Sequence, residues 1–296
     1  MNTQLVRTCL SCVSLCIPCV SHSSTNVDIC QEPTAESRLA IAYYNQEQSM
    51  LEGDSGKTNL ELYGTDLLFR SNDTWSFGFG HRSMILNVDR LELQTNGYLH
   101  TFFFPVHRLS QSDNGGFRFS VAPALSASSN VTSDPDEFSV DAMQVLAAAV
   151  WNKQMSDRMA LYYGICGDHR FGDYRVYPVI NVAWQIHPDW LLELGFPTSQ
   201  LIYKVSESFT SLLRISPNGN EWYVKDKSLT KHSQLVYEAY LLEWALNWRA
   251  HKNLVLTASV GRELDSRYEM TLRDENRVRL SSDSATRVGI ALAWYF

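Results

Sequence analysis

The sequence predicts an all-β chain, a single transmembrane antiparallel up-and-down β-barrel of about twelve to fourteen strands, and three observations carry the prediction. From Ser37 onward apolar and polar residues alternate with period two, which in an extended strand sends successive side chains to opposite faces. The cleanest alternating runs reach about nine to eleven residues, the length a tilted strand needs to cross a bilayer. Tryptophans fall near the ends of runs, at Trp75, Trp151, Trp184, Trp190, Trp248 and Trp294, where a lipid–water boundary favours amphipathic rings.

Composition removes several alternatives. The 296 residues hold 25 Lys+Arg against 32 Asp+Glu, a formal charge of -7, so nothing draws the chain to nucleic acid, and no basic run with interleaved aromatics appears. Mean hydropathy is -0.21, and after the first thirty residues no apolar run approaches the roughly 18 residues of a membrane helix. A barrel escapes that test because every second residue faces the lumen and the average cancels. No Gly-rich phosphate loop, zinc-ligand cluster or nucleotide fingerprint is present, so neither cofactor nor metal is expected.

Residues 1–23 read as a signal peptide. Arg7 is followed by an uncharged stretch from Thr8 to Val20, then by Ser21 and Ser23 at cleavage-site positions. Cys9, Cys12, Cys16 and Cys19 lie inside that stretch with no His or carboxylate nearby, so they belong to the leader and hold no metal. Residues 24–36 then form a periplasmic N-terminal segment and 37–296 the barrel. Two cysteines remain, Cys30 and Cys166. An oxidising periplasm permits their pairing. Their places, one before the first strand and one near the far end of another, set them apart.

Within the barrel, FRFSVAPAL puts Phe117, Phe119, Val121 and Leu125 on one face and Arg118, Ser120, Ala122 and Ala124 on the other. DRMALYYGICG, VYPVINVAWQI and YLLEWALNWR divide in the same way, the last into Tyr240, Leu242, Trp244, Leu246 and Trp248 against Leu241, Glu243, Ala245, Asn247 and Arg249. Turns are expected at SND, SDNGG, NKQMSD, HPD, SES and AHKN, with longer polar links between them. Two strands per turn, with the first and last strands added, gives about fourteen; Trp190 to Phe196 and Gln200 to Val205 are short for a span, which leaves about twelve open. A hairpin around Asp274 to Asn276 is expected to project above the membrane.

The chain ends RVGIALAWYF, with Val288, Ile290, Leu292, Trp294 and Phe296 on one face. Such a strand with a terminal aromatic resembles the signal that the barrel-assembly machinery of the bacterial outer membrane reads, and on that resemblance Ile290, Leu292, Trp294 and Phe296 are the assembly signal. The stretch YPVINVAWQIHPDWLLELGFPTSQLIY (Tyr177 to Tyr203), followed by NEWYV and AWYF, resembles the domain of unknown function 6268 family of bacterial outer-membrane β-barrels. The resemblance covers most of the chain after the leader. It implies outer-membrane location and barrel architecture, and no activity.

Charges of both signs recur on the faces assigned inward: Arg118, Arg158, Arg175, Glu193, Lys204, Glu243, Arg249, Glu263 and Arg287. Charge at membrane depth is costly unless it faces water or another charge, so these are the lumen-lining candidates. The reading they support is a passive pore for small polar solutes. The alternative is a structural or surface-interaction barrel with a plugged lumen. A third is a lipid hydrolase: in GFGHRSM, His81 and Ser83 share a face, and a His-x-Ser pair in a barrel strand resembles outer-membrane phospholipase A and lipid A deacylase. Asn96 and Glu92 are the nearest third groups and match poorly. Apolar Met84 and Leu86 imply a change of face near Ser83. Asp134, Asp136 and Glu137 read as a solvated loop rather than a Ca²⁺ site. The expected partners are outer-membrane lipids and the assembly machinery, and no catalytic residue is assigned.

Overall fold

The computed structural model describes residues 29–30, 37–51, 56–88, 98–112, 115–134, 136, 139–224, 233–271 and 277–296. The expected leader at 1–23, the turn of the Asp274 hairpin, Glu92, Asn96 and Glu137 lie outside them. Strands form where the sequence alternates. In order they are β1 (Arg38–Met50), β2 (Lys57–Arg70), β3 (Trp75–Val88), β4 (Tyr98–Phe103), β5 (Val106–Ser112), β6 (Gly115–Ser128), β7 (Met143–Ser156), β8 (Met159–Asp168), β9 (Arg175–His187), β10 (Trp190–Phe196), β11 (Ser199–Lys204), β12 (Phe209–Pro217), β13 (Asn220–Tyr223), β14 (Gln234–His251), β15 (Leu254–Thr271), β16 (Arg277–Ser282) and β17 (Ala285–Tyr295). A short helix, α1 (Ser129–Ser133), and a 3-10 turn at Val140–Ala142 follow β6.

Three wall strands are broken. β4 and β5 both pair with β6, β12 and β13 both with β14, and β16 and β17 both with β15. The 17 segments therefore make a closed antiparallel barrel of 14 wall strands. The short β10 and β11, 7 and 6 residues long, belong to the wall because each pairs on both sides.

Closure is made by the terminal strands, in register from Arg38↔Tyr295 to Gln46↔Arg287. Joining them removes the last pair of unsatisfied strand edges, which hydrocarbon cannot solvate. Gly289 permits the fit, since a Cβ there would collide with the Tyr44 ring. The face assignments hold: Val288, Ile290, Trp294 and Phe296 are exposed, while Arg287, Ala291, Ala293 and Tyr295 are buried inside.

One rim carries the short turns and both ends of the barrel. The NKQMSD turn shrinks to 157–158, because β7 runs on to Ser156. All six boundary tryptophans stand at this rim, each between 37% and 46% exposed on the outer face. Some are stacked on aromatic neighbours, as Trp190 is on Tyr203 at 4.3 Å and Trp248 on Phe209 at 6.1 Å. The opposite rim carries the longer loops. No helix among the described residues is long and apolar enough to cross a membrane.

Candidate functional site

The inner face divides by height. From the turn rim up to mid-wall, where it meets the apolar cluster, it is polar and carries buried ion pairs. Arg287 Nη2 lies 2.6 Å from Glu263 Oε1 with side chains 2% and 0% exposed, and Arg214 Nη2 lies 3.0 Å from Glu243 Oε2. Arg82 and Asp66, 2.6 Å apart, make a third buried pair, which the sequence reading had not singled out. Asn218 and Ser266 also donate hydrogen bonds to Glu263.

Toward the loop rim the interior is apolar. Tyr44, Leu60, Leu62, Met84, Leu86, Leu99, Trp222, Leu235, Tyr237, Tyr268 and Met270 pack as one buried cluster. This corrects the reading of Met84 and Leu86. No change of face occurs, since β2 and β3 pair without interruption from Thr58↔Val88 to Arg70↔Ser76. Both side chains point inward because the lumen is packed with apolar groups at that height.

The cluster is built around β13, which keeps its pairing with β14 from Asn220↔Tyr237 to Tyr223↔Gln234 while its other edge reaches across the lumen. β12 ends at Pro217, which has no N–H to donate, and the chain turns inward at Asn218 and Gly219. A Cβ at Gly219 would stand 2.6 to 2.8 Å from Tyr237 O, Gly172 N and Arg170 O, so only glycine passes there. β13 then reaches the opposite wall, five strands away (β7 to β11) in the order of the sheet. Asn220 Nδ2 and Trp222 Nε1 both donate to Thr101 Oγ1, at 2.9 and 3.1 Å. Ser126 and Gln144 both donate to the Glu221 carbonyl, at 2.7 and 2.8 Å, and Tyr223 pairs with Ala127 in parallel. Glu221 Oε2 lies 3.1 Å from His169 Nδ1 in the loop after β8. β13 is thus a bar across the lumen.

Two residues ahead of β1 add a second obstruction. Ile29 and Cys30 are 1% and 6% exposed, packed against Leu146, Ala148, Cys166, Tyr177 and Val179 on the inner face. Cys30 is joined to Cys166 by a disulfide with Cα atoms 6.0 Å apart, and the Arg118 guanidinium donates to the Cys30 carbonyl. Chain position suggested that these cysteines were far apart; the packing of Ile29 and Cys30 against the inner wall brings them together. Asp168 stands beside the sulfurs, within 4.8 Å of them, a grouping a metal could use if the thiols were free. Its Oδ2 instead accepts from Arg170 Nε at 2.8 Å and Tyr177 Oη at 2.9 Å.

The other sequence candidates scatter. Glu193 faces inward and accepts from Gln200 Nε2 at 2.6 Å. Lys204 is at the turn rim, 2.7 Å from Glu207, whose carboxyl that hydrogen bond holds below its ordinary pKa. Arg158 lies in the turn at 157–158 and Arg249 is exposed near the turn-rim end of β14, so neither lines the inner wall at depth. In both cases alternation was extended past the point where the strand meets solvent. Arg175 stands at the loop rim in a cavity of about 150 Å³, with Asp173, Glu238, Arg267, Glu269 and Arg279. His81 and Ser83 lie on the outer face, as expected, but no hydrogen bond joins them. His81 Nε2 is 3.2 Å from His100 Nδ1, and His100 Nε2 is 3.1 Å from Ser129 Oγ.

No curated protein matches the chain. Among solved structures it is similar to the COG4313 outer membrane channel from Pseudomonas putida F1, at 10% identity over 92% of this chain and 99% of that one, with a TM-score of 0.47. A Pseudomonas aeruginosa FadL homologue is similar at 11% identity over 87% of this chain and 89% of that one, TM-score 0.49. KdgM porin is similar at 10% identity over 87% and 99%, TM-score 0.36. The sequence model of the family described as domain of unknown function (DUF6268) matches residues 117–294, and the chain belongs to that family.

Proposed function

We propose that the protein is a bacterial outer-membrane transport barrel for small polar solutes, held closed at rest by β13. In this reading the turn rim faces the periplasm and the loop rim the outside. Surface lipids contact the exposed apolar wall, and the assembly machinery engages β17 through Ile290, Leu292, Trp294 and Phe296. The observation that carries the proposal is the manner in which β13 is fixed. It reaches the far wall chiefly through side-chain hydrogen bonds to Thr101, Ser126 and Gln144, contacts that break without unzipping the barrel. Below it the wall is charged, as a path for polar solutes requires.

A second reading, a permanently sealed structural barrel, is favoured by the apolar cluster around Trp222. Planar-bilayer conductance separates the two. The wild type gives rare or small current steps. Trp222→Ala combined with Thr101→Val, which removes the packing and the shared acceptor, gives frequent larger steps with a preference for one ion sign. A folded variant that stays silent defeats the transport reading.

A further inference from the structure

Two imidazoles, His81 and His100, stand on the outer wall beside Phe102, Thr65 and Ser83. Ionisable side chains at membrane depth are costly and mark sites of function by default. The β3–β4 register pairs His81 with Phe102 and Ser83 with His100. His81 stacks on Phe102 at 4.5 Å and meets His100 through one nitrogen of each ring, 3.2 Å apart. The remaining His100 nitrogen, Nε2, faces Ser129 Oγ at 3.1 Å. The Tyr98 carbonyl, 3.2 Å from Ser129 Oγ, is an alternative acceptor for the same hydroxyl proton.

The height of this array is informative. Strand pairing places Tyr43, Tyr63, Ser83 and His100 in one row, and Asn45, Glu61, Ile85 and Tyr98 in the row two residues nearer the loop rim. On the other side lie exposed Ile41, Leu67 and Phe79. Hydroxyl and imidazole therefore meet where the apolar band gives way to polar groups, the depth at which a lipid carries its ester bonds.

We propose that Ser129, His100 and His81 act as nucleophile, base and positioning residue in hydrolysis of a lipid acyl ester at the loop-rim boundary. The proposal rests on the reading that this wall faces lipid, and is independent of whether the lumen conducts. His81 Nε2 accepts the Nδ1–H of His100 and so fixes the tautomer whose Nε2 lone pair faces Ser129. Ser129 Oγ attacks the ester carbonyl and its proton passes to His100 Nε2. The ester C–O bond breaks and the departing alkoxide takes that proton. Water then attacks the acyl-serine, giving a proton to His100; the acid leaves and Ser129 regains its hydrogen. Of the sequence pair His81 and Ser83, this arrangement uses the histidine alone.

The test is covalent labelling of the folded full-length protein in detergent by an alkyl fluorophosphonate, with the modified residue located by peptide mass. Ser129 is labelled in the wild type and in Ser83→Ala. Labelling disappears in Ser129→Ala and falls about 10²- to 10⁴-fold in His100→Ala. His81→Ala lowers it and His81→Gln, whose amide can still accept from His100, restores it, which a merely structural role would not do. Fatty-acid release is then followed from vesicles of phosphatidylethanolamine, with and without lipopolysaccharide. Release from the first names a glycerophospholipid ester; release only with the second names an ester of lipopolysaccharide. Folded protein that takes no label, label that persists in Ser129→Ala, or labelled protein that releases no acid from either vesicle overturns the proposal.

Discussion

Arg287→Met reports directly on whether water fills the barrel. Glu263 is fully buried and Arg287, 2.6 Å away, is its one ion-pair partner among the described residues. The substitution leaves the carboxylate with neutral hydrogen-bond donors, Asn218 and Ser266 among them. A buried charge stripped of its partner costs about 3 to 5 kcal/mol, whereas a pair bathed in solvent is worth about 0 to 1 kcal/mol. Because this pair lies deep in a lumen closed above by β13, we expect the larger figure, a drop of about two to four decades in the folding constant. The double variant Arg287→Met/Glu263→Gln should regain most of the loss, since it removes the orphaned charge as well. The assay is urea unfolding of the refolded protein in lipid vesicles, followed by tryptophan fluorescence, over the full cycle of single and double variants. A single-variant cost below about 1 kcal/mol, with negligible coupling, would refute the packed-lumen reasoning and point to a hydrated channel.

Three further outcomes are expected. Cys30→Ser or Cys166→Ser removes a cross-link spanning 136 residues, and chain-entropy arguments put the loss near about 4 to 5 kcal/mol; unfolding under non-reducing conditions measures it. Gly289→Val forces a side chain into the Tyr44 ring at the closing seam, costing at least about 1 to 3 kcal/mol, and Tyr44→Ala in the same chain relieves part of that; loss and recovery of the heat-modifiable gel band report it. Phe296→Ala leaves the stability of refolded protein nearly unchanged, because the side chain is 59% exposed, yet lowers the yield of assembled barrel in cells, as quantified by immunoblot of outer-membrane fractions.

The sequence made the wall legible and left its contents obscure. Period two is local: Leu242, Trp244, Glu243 and Ala245 declare their faces from their neighbours alone, and the structure keeps those faces. Turn chemistry at HPD and AHKN is equally local. Contacts across the lumen are not. Nothing near Cys30 announces Cys166, and nothing near Thr101 announces Trp222. Alternation also overreached at Arg158 and Arg249, where a strand's parity continues after the wall has reached solvent. Met84 and Leu86 misled because an apolar inward face was read as a change of register.

What the sequence determined by itself is therefore the two-faced strand, its length and its hand-over to the next strand, because backbone pleat and residue polarity fix those within a few positions. Tertiary structure alone decided three things. It carried β13 across to β6, packed Ile29 and Cys30 against the inner wall, and set Ser129 beside His100 and His81. The first two join parts of the wall that lie apart in the order of the strands, β13 to β6 and Cys30 to β8, whereas Ser129, His100 and His81 meet across the neighbouring strands β3, β4 and β6, and none of the three leaves a trace in any local stretch.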